Sequence, residues 1–163
     1  MGRQPVEIEL HRAQFGEAEH DLARCGAITV RSFRYATGVE ALRIENGAGH
    51  LVCLPFQGQQ IWDAHFLGRR LTMRSMFDAP RPTRDYLETY GAFFIHCGGL
   101  SMGNPGPDDR HPLHGELPNL PYDSAVLAFG EDASGRYVEL SGAASVARAF
   151  SHHLVARPHR RNG

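Results

Sequence analysis

The sequence predicts an all-β fold, an antiparallel β-sandwich. Apolar and polar residues alternate over residues 28–35 and again over residues 39–45, which is the pattern of half-buried strands. Asn46-Gly47 follows, and this dipeptide favours a tight hairpin turn because both residues tolerate positive φ. About five such strands with short turns fit between residues 28 and 74, and this spacing is typical of sandwiches and barrels.

Turn signals separate the strands of this region. Thr37-Gly38 ends the first strand, Pro55 closes the third, and Leu67-Gly68 begins a turn after the fourth. The predicted strands here are residues 28–35, 39–45, 50–55, 59–66 and 71–74.

Further strands are predicted towards the C-terminus. The run Phe93–Leu100 predicts an apolar strand that ends in His96, Cys97 and a Gly pair. A polar segment over residues 131–136 predicts a hairpin loop. The strands expected around and after this loop are residues 124–129, 137–142 and 150–155.

Two short helices are also predicted. Residues 15–24 form one, with Gly26 as the glycine that follows its C-terminus. Thr83 is expected to cap another that runs to Tyr90, after a Pro- and Arg-rich loop over residues 78–85. We expect a single domain over residues 1–163, with an irregular tail over residues 157–163.

Composition narrows the classes of function. The formal net charge is −1, which argues against nucleic acid as the main partner. All 17 basic residues are Arg, so a Schiff-base lysine mechanism is excluded. Three widely spaced cysteines favour neither a disulfide framework nor a cysteine zinc site. With no secretory signal and no apolar run long enough for a membrane span, we expect a cytoplasmic protein.

The candidate functional stretch is residues 111–119, which contain His111, His114, Glu116 and Asn119 between Pro and Gly residues. Imidazoles handle protons near neutral pH and also bind metals. Pro112, Gly115 and Pro118 disfavour a helix, so the segment is expected to be a loop that enters a strand. Proton transfer, metal binding and a structural turn all remain open for it.

Other candidate residues lie near this stretch or before it. His96 precedes a Gly pair that allows close backbone approach to a ligand or makes a tight turn. Asn104 either belongs to a turn cluster or binds hydroxyl groups, and Arg74 is either a surface charge or a ligand clamp. Trp62 is the only Trp, and a lone Trp more often packs in a core than against a sugar.

Three segments, read in order, resemble the aldose 1-epimerase (galactose mutarotase-like) superfamily. They are residues 51–77, 90–107 and 111–119, and the most specific piece is Leu113-His114-Gly115, which is similar to the LHG motif around one active-site histidine. The resemblance is closest to a poorly characterised bacterial branch and covers residues 30–158. It implies a large antiparallel supersandwich and cofactor-free chemistry on the anomeric carbon of an aldose.

The implied reaction opens the sugar ring by acid and base catalysis. A base takes the anomeric hydroxyl proton while an acid protonates the ring oxygen, and reclosure gives the other anomer. His114 carries over as the catalytic His, and substrate contacts are expected from His111, His96, Asn104, Glu116 and Arg74, with no metal.

The chain departs from the family pattern in two ways. The Asn-Arg pair before the LHG motif is reduced to Gly103-Asn104, and family members are about twice as long, with the second His and the general-base Glu in their later half. We therefore expect the N-terminal half of the sandwich, apparently truncated, and enzymatic activity is left open. Open sheet edges and an uncovered apolar face would favour self-association.

Two other functions compete with this interpretation. His111, His114 and Glu116 could serve a metal-dependent, cupin-like sugar isomerase, although their spacing departs from the usual HxH start. A non-catalytic sugar-binding module is the other alternative.

Overall fold

The fold is all-β, as the sequence predicts. A computed structural model describes residues 4–145 and 149–156, so the predicted tail over residues 157–163 lies outside the described residues. The strands are β1 Val6–Glu9, β2 His20–Cys25, β3 Ile28–Arg34, β4 Glu40–Glu45, β5 Gly49–Cys53, β6 Ile61–Phe66, β7 Arg69–Arg70, β8 Ser124–Asp132, β9 Gly135–Ser145 and β10 Ala149–Ala156.

The larger sheet has six strands in chain order, β2 to β7, and every neighbouring pair is antiparallel. Tight turns with positive φ join most of these pairs, since such turns match the twist of the strands, while the longer segment over residues 54–60 joins β5 to β6. Gly47 has φ 80° in the predicted Asn46-Gly47 turn, and Leu67 and Gly68 have φ 51° and 72°. Sequence-adjacent strands therefore become neighbours in space.

The smaller sheet joins the two ends of the described chain in the order β1-β8-β9-β10. Val6 pairs with Phe129 and Glu9 with Val126, so β1 lies antiparallel to β8. The predicted strand over residues 124–129 is confirmed and longer than expected, because its pairing with β9 continues to Asp132 and Gly135.

The two sheets face each other across an apolar core. Alternate residues of β3, β4, β8 and β9 contribute Val30, Leu42, Leu127 and Leu140, all fully buried. Burial of a Leu or Val side chain stabilises a fold by about 1.5–3 kcal/mol. This contact makes the two sheets a sandwich.

A second apolar cluster covers the opposite, outer face of the larger sheet. Trp62, 5% exposed, packs there with Val52 and Leu54, and Phe77 and Ile95 pack against them from the long segment between β7 and β8. Trp62 is thus a core residue, and the outer face of this sheet is partly covered by the chain itself.

Two sequence predictions are wrong in the first part of the chain. Residues 15–24 form no helix: Arg12–Gln14 is a 3-10 turn, and His20–Cys25 is strand β2. The segment lacks a helical apolar stripe, and its backbone pairs with β3 instead. Gly26, with φ 61°, makes the β2–β3 turn.

Three further predictions fail between β6 and β8. The partner of β6 is Arg69–Arg70, and residues 71–74 are not a strand. Phe93–Leu100 is no strand either, because it forms only isolated bridges, from Phe94 to Ile61 and from Gly98 to Gly115. The predicted helix to Tyr90 is a single 3-10 turn, Tyr86–Thr89, capped by Asp85 and not by Thr83.

The large exposed apolar side chains of the described residues, apart from Val6, all lie between residues 67 and 102. Met76 and Met102 are the most exposed of those in the β7–β8 segment, at 86% and 67%. Within the described part of the chain, no helix has the length and apolar character that crossing a bilayer requires.

Candidate functional site

His114 lies where two loops meet. Its backbone has φ 62°, in the left-handed region that side-chain-bearing residues rarely adopt. The His114 N–H donates to the Gly103 carbonyl at 2.8 Å, and the Gly98 N–H donates to the His114 carbonyl at 2.7 Å. Hydrogen bonds on both sides therefore hold this histidine in an uncommon conformation.

The imidazole of His114 contacts the ring of Tyr86. The ring centroids are 4.6 Å apart and the planes meet at 60°, an edge-to-face arrangement. Tyr86 is half-buried on its 3-10 turn, and burial, followed by the nearby Cys97 thiol and Tyr90 phenol, raises its pKa. Burial also raises the pKa of Cys97. An imidazole, a phenol and a thiol thus lie together at this junction, and the last two keep their protons near neutral pH.

Glu116 follows Gly115, and its side chain contacts the same loop as the His114 backbone. Its carboxylate accepts hydrogen bonds from the Leu100 N–H at 2.8 Å and the Ser101 N–H at 3.2 Å. Burial pushes the pKa of Glu116 upward, but the Ser101 and Leu100 N–H groups outweigh it and hold the pKa below its ordinary value. Glu116 is therefore an ionised group that holds the loop over residues 98–103 in place.

The other predicted histidines lie on the same loops. The His111 ring nitrogen Nδ1 is 2.8 Å from the Pro112 carbonyl, and Nε2 is 3.9 Å from the Asp109 carboxylate. His96 packs edge-on against Phe94, with ring centroids 4.9 Å apart. Both side chains are half-buried.

The structure brings most of the predicted site residues to one region. The bridge between Gly98 and Gly115 joins the loop of His96 to the loop of His114 and Glu116, and Asn104 directly follows the Gly103 that bonds His114. Arg74 is exposed, and no described hydrogen bond connects it to this junction. Among the described residues, no group of three or more His, Cys, Asp or Glu side chains is arranged to hold a metal ion.

Asn119 connects this region to the larger sheet. It is 3% exposed, its Oδ1 accepts from the Gln57 and Gln60 amides at 3.1 and 2.9 Å, and its Nδ2 donates to the Asp85 carbonyl at 2.9 Å. The Thr89 hydroxyl lies 2.9 Å from the same Nδ2. Asn119 therefore fixes the turn that carries Tyr86 relative to the start of β6.

A cavity of about 300 Å³ opens beside Asn119, and its lining combines apolar surface with several polar side chains. Its polar lining comes from segments that are distant along the chain, including Arg12, Glu40, Gln57 and Arg84. The amide-rich sequence around Gln57 is a local signal that could have led to it.

Another group of polar side chains lies on strands β5 and β6 of the larger sheet. His50 and His65 are cross-strand partners, and their rings stack with centroids 5.6 Å apart. Burial and the Arg43 charge lower the pKa of His50. Burial raises the pKa of Asp63, but hydrogen bonds from Thr72 and Arg70 bring it below its ordinary value. None of these residues was predicted to belong to a site.

One family model matches the chain. Its description is a domain of unknown function, DUF4432, and the match covers residues 36–161, which include His114 and the whole segment between β7 and β8. Comparison with curated proteins gave no match, and comparison with solved structures gave none.

Proposed function

This chain belongs to the family defined by the domain of unknown function DUF4432, and we propose that it binds an aldose in the manner of the aldose 1-epimerases (galactose mutarotase-like proteins) and interconverts its anomers. The observation that carries the proposal is His114 in the LHG stretch, held at φ 62° by two backbone hydrogen bonds with the loop over residues 98–103. Backbone strain of this kind clusters at functional sites. The antiparallel two-sheet fold agrees with the resemblance.

In this proposal His114 transfers the proton at the anomeric centre. An imidazole can accept the proton of the anomeric hydroxyl while water protonates the ring oxygen, and both transfers reverse on reclosure, since histidine suits acid and base work near neutral pH. Tyr86 and Cys97 remain protonated because their pKa values are raised, so both are able to donate a hydrogen bond and neither supplies the base. Glu116 is engaged by two N–H groups, and its part is to hold His114 and its loop in place.

Anomer exchange measured by NMR tests the proposal. We expect the protein to accelerate the exchange of at least one aldose among glucose, galactose, mannose and xylose. Loss of a general acid–base group lowers a rate by about 10²–10⁴-fold, so His114→Ala and His114→Gly should bring the exchange close to the uncatalysed rate. His114→Gly controls for folding, because glycine adopts φ 62° without strain.

His65→Ala is the matched control. It removes a half-buried imidazole from the larger sheet and leaves the His114 loops intact, so it should retain the wild-type rate. Equal acceleration by wild type and His114→Gly would contradict a catalytic role for His114. Sugar binding without any exchange would favour a non-catalytic sugar-binding module, and the absence of both would refute the proposal.

A further inference from the structure

The cavity at the end of the sandwich is separate from the His114 junction. It lies between the β3–β4 turn, the segment after β5 and the loop over residues 82–84. Asn119 lines it, but none of the five predicted site residues at the junction does, namely His96, Asn104, His111, His114 and Glu116. Its volume of about 300 Å³ is at the lower end of the range of about 300–1,000 Å³ for small-molecule sites. It is large enough for one small ligand.

Arg12 forms one wall of the cavity in a fixed position. Its guanidinium carbon is 4.4 Å from the centroid of the Phe56 ring, and its NH1 group donates to the Glu40 carboxylate at 2.7 Å. A guanidinium has five N–H donors, so this ion pair leaves others for a ligand. Glu40 is almost buried and also lies 3.8 Å from Arg34, which neutralises its charge further.

Another part of the cavity lining comes from the loop before the 3-10 turn. Arg84 is exposed and forms no ion pair with any described residue. The Thr83 hydroxyl accepts the Asp85 N–H at 3.0 Å and keeps its own O–H as a donor. Gln57 donates through Nε2 to the Arg81 carbonyl and to Asn119, which leaves Oε1 as an acceptor.

We propose that this cavity binds a small hydroxylated anion, namely the acid or the phosphate ester of a sugar. Arg12 and Arg84 both line the space, and arginine side chains suit carboxylate and phosphate oxygens because their N–H groups form a planar fork. Glu40 is compensated by Arg12 and Arg34, so the lining carries an excess of positive charge. Gln57 and Thr83 supply the acceptor and donor that hydroxyl groups require. The proposal does not depend on anomer exchange at His114.

Isothermal titration calorimetry of the full chain tests whether the cavity binds such an anion. The ligands are D-glucuronate, D-glucose 6-phosphate, D-glucose and inorganic phosphate. We expect one of the anionic sugars to bind more tightly than glucose and than inorganic phosphate. Arg84→Gln should weaken that binding by about tenfold or more, since it removes charge-assisted hydrogen bonds to the anion. Arg69→Gln, which changes an exposed arginine on β7, should bind as the wild type does.

The location of the site is tested with the same ligands. His114→Gly should leave the binding of the anionic sugar unchanged, whether or not the protein exchanges anomers. Glucose that binds as tightly as both anionic sugars, an unchanged affinity in Arg84→Gln, or a loss of binding in His114→Gly would each overturn the proposal. Inorganic phosphate that binds as tightly as glucose 6-phosphate would overturn the assignment of a hydroxylated ligand.

Discussion

His114 combines a reactive side chain with a strained backbone. A left-handed conformation costs a side-chain-bearing residue about 1–2 kcal/mol. Hydrogen bonds to Gly103 and from Gly98, together with the contact of its ring with Tyr86, offset this cost. A glycine would fit the backbone better, so the structure accommodates this histidine at the expense of local stability.

Glu116 gives a testable pH dependence of stability. Its pKa in the folded protein lies below its ordinary value of 4.5, so its ionised form stabilises the fold at pH values above 4.5. This contribution is lost as the pH falls through the folded-state pKa, because protonation weakens the bonds from Leu100 and Ser101. Urea unfolding should show wild type more stable than Glu116→Gln at pH 7, with the difference shrinking as the pH falls below 4.5.

Glu7→Gln is the control for this measurement. Glu7 is an exposed residue of β1, and its substitution should change stability by less than about 0.5 kcal/mol at either pH. A difference between wild type and Glu116→Gln that stays constant down to pH 3 would show that the carboxylate charge does not hold the loop.

At the scale of elements, the contact between Gly98 and Gly115 holds the two site loops together. A Cβ on Gly115 would overlap the carbonyl oxygens of Ser101 and Gly98, and its φ of 90° also disfavours alanine. Gly115→Ala should therefore open the junction and cost more than the cost of a left-handed alanine alone, which is about 1–2 kcal/mol. Urea unfolding should show this loss of stability, and anomer exchange should fall with it.

Gly103→Ala isolates the backbone effect from the contact. Gly103 has φ 78°, but a Cβ there would meet no atom within 4 Å. Gly103→Ala should lose only the free energy that a left-handed backbone costs an alanine, because its Cβ overlaps no other atom. It should therefore be more stable than Gly115→Ala. Equal destabilisation by the two substitutions would mean that the close approach of the loops contributes nothing.

The strands with alternating residues were the predictable part of the fold. The expectations for β3, β4, β5, β8 and β9 are confirmed, because turn residues bound these strands and apolar residues fill them. Strand β3 buries alternate residues, which produces a period of two, whereas β4 and β5 bury residues of both faces. Strand β2 was missed because it is an edge strand that is mostly polar, and its pairing with β3 is a contact that local patterns do not encode.

The candidate site was only partly predictable, for a similar reason. Gly and Pro around the histidines indicated loops, and the structure brings His96, His111, His114 and Glu116 to neighbouring loops. Neither the left-handed backbone of His114 nor its contact with Tyr86 has a local signal. The cavity was missed because Arg12, Glu40 and Arg84 come together only through the tertiary fold.

At the scale of the whole molecule, the described chain has three layers. The smaller sheet and the larger sheet enclose one core, and the segment between β7 and β8 covers part of the outer face of the larger sheet. That cover places the 3-10 turn of Tyr86 and the His114 loops beside the start of β6, where Asn119 bonds to Gln60. The site loops are thus positioned by the same segment that buries Trp62.

The last prediction follows from the position of Trp62, the only Trp of the chain, in the outer cluster. Phe77→Ala removes a ring that packs on this cluster from the covering segment, so water should approach the indole and shift its emission to the red. Its free energy of unfolding should fall by about 1–3 kcal/mol, less than for a fully buried Phe, because Phe77 is half-buried.

Two substitutions are controls. Leu140→Ala acts between the sheets and should lower the free energy of unfolding by about 2–5 kcal/mol, while the Trp emission of the native protein stays the same. Leu87→Ala, at an exposed position of the segment between β7 and β8, should change neither the free energy of unfolding nor the Trp emission.

The same variants test whether the layers unfold together. If they unfold as one unit, the urea midpoints from Trp fluorescence and from far-UV circular dichroism will coincide in every variant. An earlier fluorescence midpoint in Phe77→Ala would mean that the covering segment, and with it the His114 loops, separates before the sheets unfold.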